Sequence, residues 1–226
     1  MKKPSTADVL AVLPHTQCTR CGFPDCATYA QAVVDGHANI NQCPPGGSDG
    51  IARLSEVTGL PVLALNPVNG AETPRHVVYI DEDWCIGCTL CIKACPVDAI
   101  VGANKRMHTV IEPYCTGCDL CLPVCPVDCM LVENVSGSVS GSATGWAAWS
   151  PALAAQAQNR YEINSLRRRR EEGESTKRLK EKAELKLSDL AAHSQHTDPV
   201  VLDKKRAVIE AALARARAKK LNPTPH

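Results

Sequence analysis

Thirteen cysteines, every one at or before Cys129, constrain this chain more than any other feature. An odd number argues against a secreted disulfide framework, and spaced groups of cysteines point to metal ligation in a reducing compartment. Aromatic residues are scarce: one Phe, four Tyr and three Trp in 226 residues. A large apolar core is therefore excluded, and bound groups must help to fill the cysteine-rich part. No stretch approaches the roughly 20 apolar residues that span a bilayer. The run from Val9 to Leu13 is too short for a signal peptide and stops at Pro14. A cytoplasmic location without a transmembrane segment is the expectation.

The strongest pattern is an internal repeat. Shifted by 30 residues, positions 79–101 fall on positions 109–131, and ten of the 23 aligned pairs are identical. The first copy runs Cys85-x2-Cys88-x2-Cys91-x3-Cys95-Pro96, and the second runs Cys115-x2-Cys118-x2-Cys121-x3-Cys125-Pro126. This is the bacterial run that holds [4Fe–4S] clusters, in which the fourth cysteine serves the other cluster. Two-residue steps wrap three thiolates around one cubane. Gly87 and Gly117 spare a Cβ where backbone would approach the inorganic sulfides, and the Cys-Pro step turns the chain away. The expected sets are Cys85, Cys88, Cys91 and Cys125 on one cluster, and Cys115, Cys118, Cys121 and Cys95 on the other. Paired zinc sites are the alternative, but they require neither three cysteines at two-residue steps nor Cys-Pro, twice over. Residues 79–131 resemble a bacterial two-cluster ferredoxin. That resemblance implies two short halves around a pseudo-twofold axis, with strand candidates at 77–80, 99–101, 109–112 and 130–133.

A separate group, Cys18-x2-Cys21-x4-Cys26-x16-Cys43, has a wide final gap that contains a helical stretch. Spacing alone leaves three options: a [4Fe–4S] cluster, one zinc ion, or unmetallated packing. The words Thr16-Gln17-Cys18-Thr19-Arg20-Cys21-Gly22-Phe23-Pro24-Asp25-Cys26 and Ile40-Asn41-Gln42-Cys43-Pro44-Pro45-Gly46-Gly47 resemble the iron–sulfur domain of the B subunit of the Rnf/Rsx electron transport complex. A similar domain occurs in corrinoid iron–sulfur proteins. The order, this domain and then a two-cluster ferredoxin, is that of the Rnf/Rsx B subunit, and the resemblance covers roughly residues 5–135. It implies a third [4Fe–4S] cluster on Cys18, Cys21, Cys26 and Cys43, with flavoprotein or iron–sulfur partners and other Rnf/Rsx subunits. Members typically begin with a hydrophobic anchor helix. None is read here, so the membrane would be reached through partners.

The fold expected is α+β: a small helical iron–sulfur domain (1–60), a Pro-rich connector (61–76), the ferredoxin-type domain (77–133), a flexible Gly/Ser linker (134–150) and a charged helical tail (151–226). Ser5 or Thr6 should cap a first helix, a second should run from Cys26 to Asp35 before Gly36, and Ser48 or Asp49 should cap a third that reaches Thr58. In the tail, Gly173 should interrupt the first helix, and Asp198-Pro199 should start another reaching Lys220. Leu179, Leu187, Leu190, Leu202, Ile209 and Leu213 are too sparse for a tail core. The tail should therefore touch the head little, and a chain cut after residue 145 should keep its clusters. Charge divides in the same place: residues 1–145 carry −6 and residues 146–226 carry +7.

Other features have plainer readings. Cys129, the thirteenth cysteine, is expected to be a small core residue beside a cluster. Trp84 and Tyr114 precede the first ligands and either limit solvent access or simply pack. Gly46 to Gly50 lacks the strand before it and the Lys after it that a phosphate loop needs. The seven histidines are expected at the surface. Arg167 to Arg170 reads as a solvated helix face. With no dinucleotide fingerprint and no nucleophile–base pair, the chain reads as an electron carrier or relay and not a stand-alone catalyst. The rival reading makes the clusters structural or sensory, with the basic tail docking nucleic acid or an anionic surface.

Overall fold

The computed structural model describes residues 3–135 and 143–221. The chain divides into two compact units, Met1–Ser165 and Leu166–His226.

The first unit opens with helices built from local signals. In α1 (Thr6–Ala11) Ser5 and Asp8 form a reciprocal capping box, which satisfies two otherwise orphaned N–H groups. In α2 (Cys26–Val34) the Asp25 side chain accepts from the Thr28 amide, and Gly36 follows the helix at φ +75°. Helix α3 (Gly47–Thr58) starts one or two residues before the expected caps. No side chain of its own N-cap serves it; the Glu72 carboxylate accepts from the Ser48 amide instead. These helices bury Val9, Leu13, Tyr29, Ile40, Ile51 and Leu54 as one small core.

The repeat follows as four short strands around α4 (Leu90–Ala94). Strand β1 (His76–Ile80) pairs antiparallel with β4 (Met130–Asn134), in the register Ile80 opposite Met130. Strand β2 (Ile100–Val101) pairs antiparallel with β3 (Thr109–Val110). Each sheet therefore joins one half of the repeat to the other. Val78, Ile80, Val97, Ile100 and Met130 form the core here, with Cys91, Cys95, Cys115, Cys121 and Cys129 embedded among them.

The chain after the repeat departs from expectation. Of the expected linker, Asn134 belongs to β4 and residues 136–142 lie outside the described residues. From Thr144 to Ser165 the chain packs within the first unit. Thr144 bridges Pro74, α5 (Gly145–Ala148) buries Trp146, and Trp149 is buried with its Nε1 donating to the Pro14 carbonyl at 2.7 Å. Helix α6 (Pro151–Ser188) starts at the expected place. Its first turns bury Ala154, Ala157 and Asn164. The Arg160 guanidinium donates to the carbonyls of Val97 and Asp98 and lies 3.6 Å over the Tyr114 ring. Asn164 donates to Asp98, and Tyr161 donates to Asp25. The head thus extends to Ser165, and the expectation of an unattached tail from residue 151 is corrected. The physical reason is twofold. Two of the chain's three Trp, Trp146 and Trp149, lie within the expected linker and bury their rings on the head. Arg160 and Asn164 then tie the first turns of α6 to the loop at Val97 and Asp98.

The second unit holds the end of α6 and helix α7 (Pro199–Leu221), where Asp198 caps the Val200 amide. Gly173 does not interrupt α6. One glycine costs a helix only about 1 kcal/mol, and i,i+4 pairs flank it at Arg170–Glu174 and Lys177–Glu181. Arg167 pairs similarly with Glu171, so the arginine run is a solvated, partly neutralised helix face.

Candidate metal centres

None of the thirteen cysteines is in a disulfide, and the fold brings twelve of them into three groups of four. Cys95, Cys115, Cys118 and Cys121 line one cavity, walled by Val78, Val97, Ile100 and Val110. Cys85, Cys88, Cys91 and Cys125 line a second, walled by Ile80, Val127 and Met130. Each cavity takes three thiols from one half of the repeat and the fourth from the other half. Cys129 lies beside the second cavity, and Cys18, Cys21, Cys26 and Cys43 gather in the first domain. Burial, followed by the nearness of Cys26, Cys18 and Cys21, pushes the Cys43 thiol well above its ordinary range.

The backbone follows the 30-residue repeat. Gly87 and Gly117 sit at φ +66° and +64°, Thr89 and Asp119 at +66° and +62°, and Asp98 and Asp128 at +52° and +51°. Four non-glycine residues thus hold a left-handed conformation that costs roughly 1–2 kcal/mol each. The cost recurs at the same steps of both loops, so it belongs to the motif. The two glycines also answer to the facing backbone. A Cβ at Gly87 would stand 2.5 Å from the Arg106 carbonyl oxygen, and one at Gly117 would stand 2.6 Å from that of His76. Their close neighbour is the backbone of the facing segment. In the first domain His15, Gln17 and Thr19 are left-handed on either side of Cys18. Such positions turn backbone N–H groups toward an anion.

The donor set fits iron–sulfur clusters. Among the described residues no three Cys, His, Asp or Glu groups form a set for a single metal ion. Thiols spread around a cavity suit a polynuclear group, whose ligands each bind a different iron. Backbone amides also aim at sulfur, as Ala99 N–H does at Cys95 Sγ at 3.2 Å. Burial pushes the Cys26 and Cys118 thiols up to about 12. A free thiolate is therefore disfavoured at these positions, and iron, which binds the thiolate, supplies the missing positive charge.

Several residues sit where the sequence reading did not put them. Cys129 is buried, as expected, but it also lines the second cavity, its sulfur 3.5 Å from that of Cys125. Trp84 is two-thirds exposed, whereas Tyr114 packs under Arg160. Three histidines are not at the surface. His15 and His108 are almost fully buried, and His76 pairs with Asp119 at 2.7 Å. Asp119 also pairs with Arg20, and Thr116 donates to the Thr16 carbonyl. The loop that carries Cys115 and Cys118 is thereby docked on the loop that carries Cys18 and Cys21. A signal for His108 lay in the repeat itself, which aligns it with the strand residue Val78.

Known proteins carry the same two kinds of domain. A family profile described as a 4Fe-4S dicluster domain matches residues 78–132, and one described as a putative Fe-S cluster matches residues 13–45. These matches define an iron–sulfur electron carrier. A protein of Azoarcus sp., named as the B subunit of an ion-translocating oxidoreductase complex, is 59% identical over 129 residues, which are 57% of this chain and 70% of that protein. Proteins of the same name from Thiobacillus denitrificans and Alkalilimnicola ehrlichii are 55% and 53% identical, with 57% and 59% of their lengths covered. The chain belongs to this family of B subunits. Among the described residues no helix is long and apolar enough to cross a membrane.

Proposed function

We propose that this chain is the iron–sulfur relay of an Rnf-type ion-translocating oxidoreductase complex, with three [4Fe–4S] clusters. Cys18, Cys21, Cys26 and Cys43 would hold the first. Cys115, Cys118, Cys121 and Cys95 would hold a second, and Cys85, Cys88, Cys91 and Cys125 a third. When bound, such clusters each accept and donate one electron. The observation that carries this reading is the crossed sorting of thiols into two separate cavities.

The residues around the cavities support an order. Thr116 and Asp119 join the loop of the middle site to Thr16 and Arg20 of the first domain. The equivalent loop of the other half, with Trp84, Ile86 and Leu90, is exposed. The site between them then lies in the middle, and the site of Cys85 is the one open to a redox partner, a flavoprotein or another iron–sulfur protein of the complex. The chain would sit at the membrane surface through those partners.

The test is anaerobic iron and sulfide analysis with EPR of the reduced protein. The reading expects about 12 Fe and about 12 sulfide per chain. About eight Fe with one zinc would remove the first domain from the relay.

A further inference from the structure

We propose that His108 donates a hydrogen bond from Nδ1 to the Sγ of Cys91, and so sets the centre of Cys85, Cys88, Cys91 and Cys125 at a higher reduction potential than its repeat-related twin. The inference rests on the ligand sets proposed above and makes His108 a positioning residue for one of them.

The geometry is specific. His108 is 1% exposed and its Nδ1 lies 3.3 Å from Cys91 Sγ. Its Nε2 is buried without a hydrogen-bond partner. The ring's place is kept by Gly102, at φ +153°, where any Cβ would collide with the ring carbon Cδ2. A thiolate bound to iron has no proton and only accepts. The nitrogen facing it must therefore carry the hydrogen, which leaves the Nε2 lone pair bare.

The repeat provides an internal control. Thirty residues earlier stands Val78, buried and lining the twin cavity. Three other related pairs are apolar in both cavities, Ile80 with Val110, Val127 with Val97 and Met130 with Ile100, while Thr116, which stands in the twin where this cavity has Ile86, donates its hydroxyl proton away to the Thr16 carbonyl. One cavity thus holds an imidazole where its twin holds an isopropyl group. A donor beside a ligand sulfur stabilises the added negative charge when the centre takes up an electron, and it does so more strongly in a dry, low-dielectric setting. The step is one electron in, with the imidazole proton staying on Nδ1.

The experiment is an EPR-monitored redox titration of the full chain, reconstituted anaerobically, with dithionite as the reductant. His108→Val, which copies the twin, and His108→Leu both remove the donor. In each, one midpoint should fall, changing the reduced-to-oxidised ratio at fixed potential about tenfold, or about 59 mV for one electron. His108→Asn keeps an N–H at the same distance from the backbone and should stay near wild type. Val78→His should raise a different midpoint. The proposal is overturned if the donor-free variants leave every midpoint unchanged, or if His108→Asn falls as far as His108→Val. Loss of iron in both donor-free variants, with full iron in His108→Asn, would make the residue a structural prop and also overturn it. Iron analysis of the wild type separates these results from a failure of the three-cluster reading.

Discussion

The half of the repeat that starts at Cys85 and the half that starts at Cys115 share their cysteines and left-handed positions, yet they face different surroundings. The loop after Cys115 is docked on the first domain through Thr116 and Asp119. The loop after Cys85 shows Trp84, Ile86 and Leu90 to solvent. Ile86 and Thr116 occupy the same step of the repeat, one exposed and one buried. The cavity walls differ as well, with His108 and Cys129 on one side and Val78 and Ala99 on the other. Ligand spacing is what a cluster motif must repeat to bind iron. The loop surface and cavity wall are free to diverge, and there a relay can acquire direction.

The largest effect should come from breaking the cross between the halves. Cys95→Ala removes a thiol from the cavity of Cys115, Cys118 and Cys121. Iron analysis and EPR should show that centre damaged, at a cost of up to about four Fe, with the centre of its own motif retained. Loss from the Cys85 site instead would sink the proposed ligand sets.

Next in size is the strap from Thr144 to Ser165, which fastens the first half through Arg160 and Asn164 on Val97 and Asp98. Truncation after residue 145 should destabilise the head and lower its iron content, whereas truncation after Ser165 should spare both. Trp149→Ala alone should cost about 3 kcal/mol, typical of a buried Trp, and lower the thermal midpoint measured under nitrogen. Equal iron in the two truncations would show that the strap is dispensable.

A smaller effect should come from His76 and Asp119, on the docked side. The hydrogen bond to Asp119 raises the His76 pKa against burial, which lowers it. A raised folded value means that the added stability is fully present below the unfolded value of 6.5 and is lost as pH rises through the folded value. His76→Gln should remove this pH dependence, worth about 1 kcal/mol for a partly exposed pair. Thermal midpoints between about pH 5.5 and 8.5 would check it, and parallel curves for both proteins would refute it.

The smallest change should be Cys129→Ala, which gives the exposed-side cavity the residue its twin already has. Iron content should be unchanged, at a packing cost of about 1 kcal/mol. A drop of about four Fe would promote Cys129 to a ligand in place of Cys125, whose sulfur lies 3.5 Å away.

What the sequence by itself determined is local. The capping box of Ser5 and Asp8, the glycine after α2 and the start of α7 at Pro199 all come from signals a few residues apart. The cysteine runs of the repeat are local too, because each brings three thiols to one site within seven residues, and the motif itself announces the exchange of its fourth cysteine. Tertiary structure alone decided which faces those loops present and what closes over them. Trp149 reaches Pro14 across 135 positions and Thr116 reaches Thr16 across 100. Such contacts leave no periodicity to read. His108 lies between these cases: the repeat marks it as an inward strand position, but only the fold brings its ring against Cys91. Spacing along a chain encodes how it wraps a ligand, whereas the environment of that ligand is assembled from segments whose only relation is the packed fold.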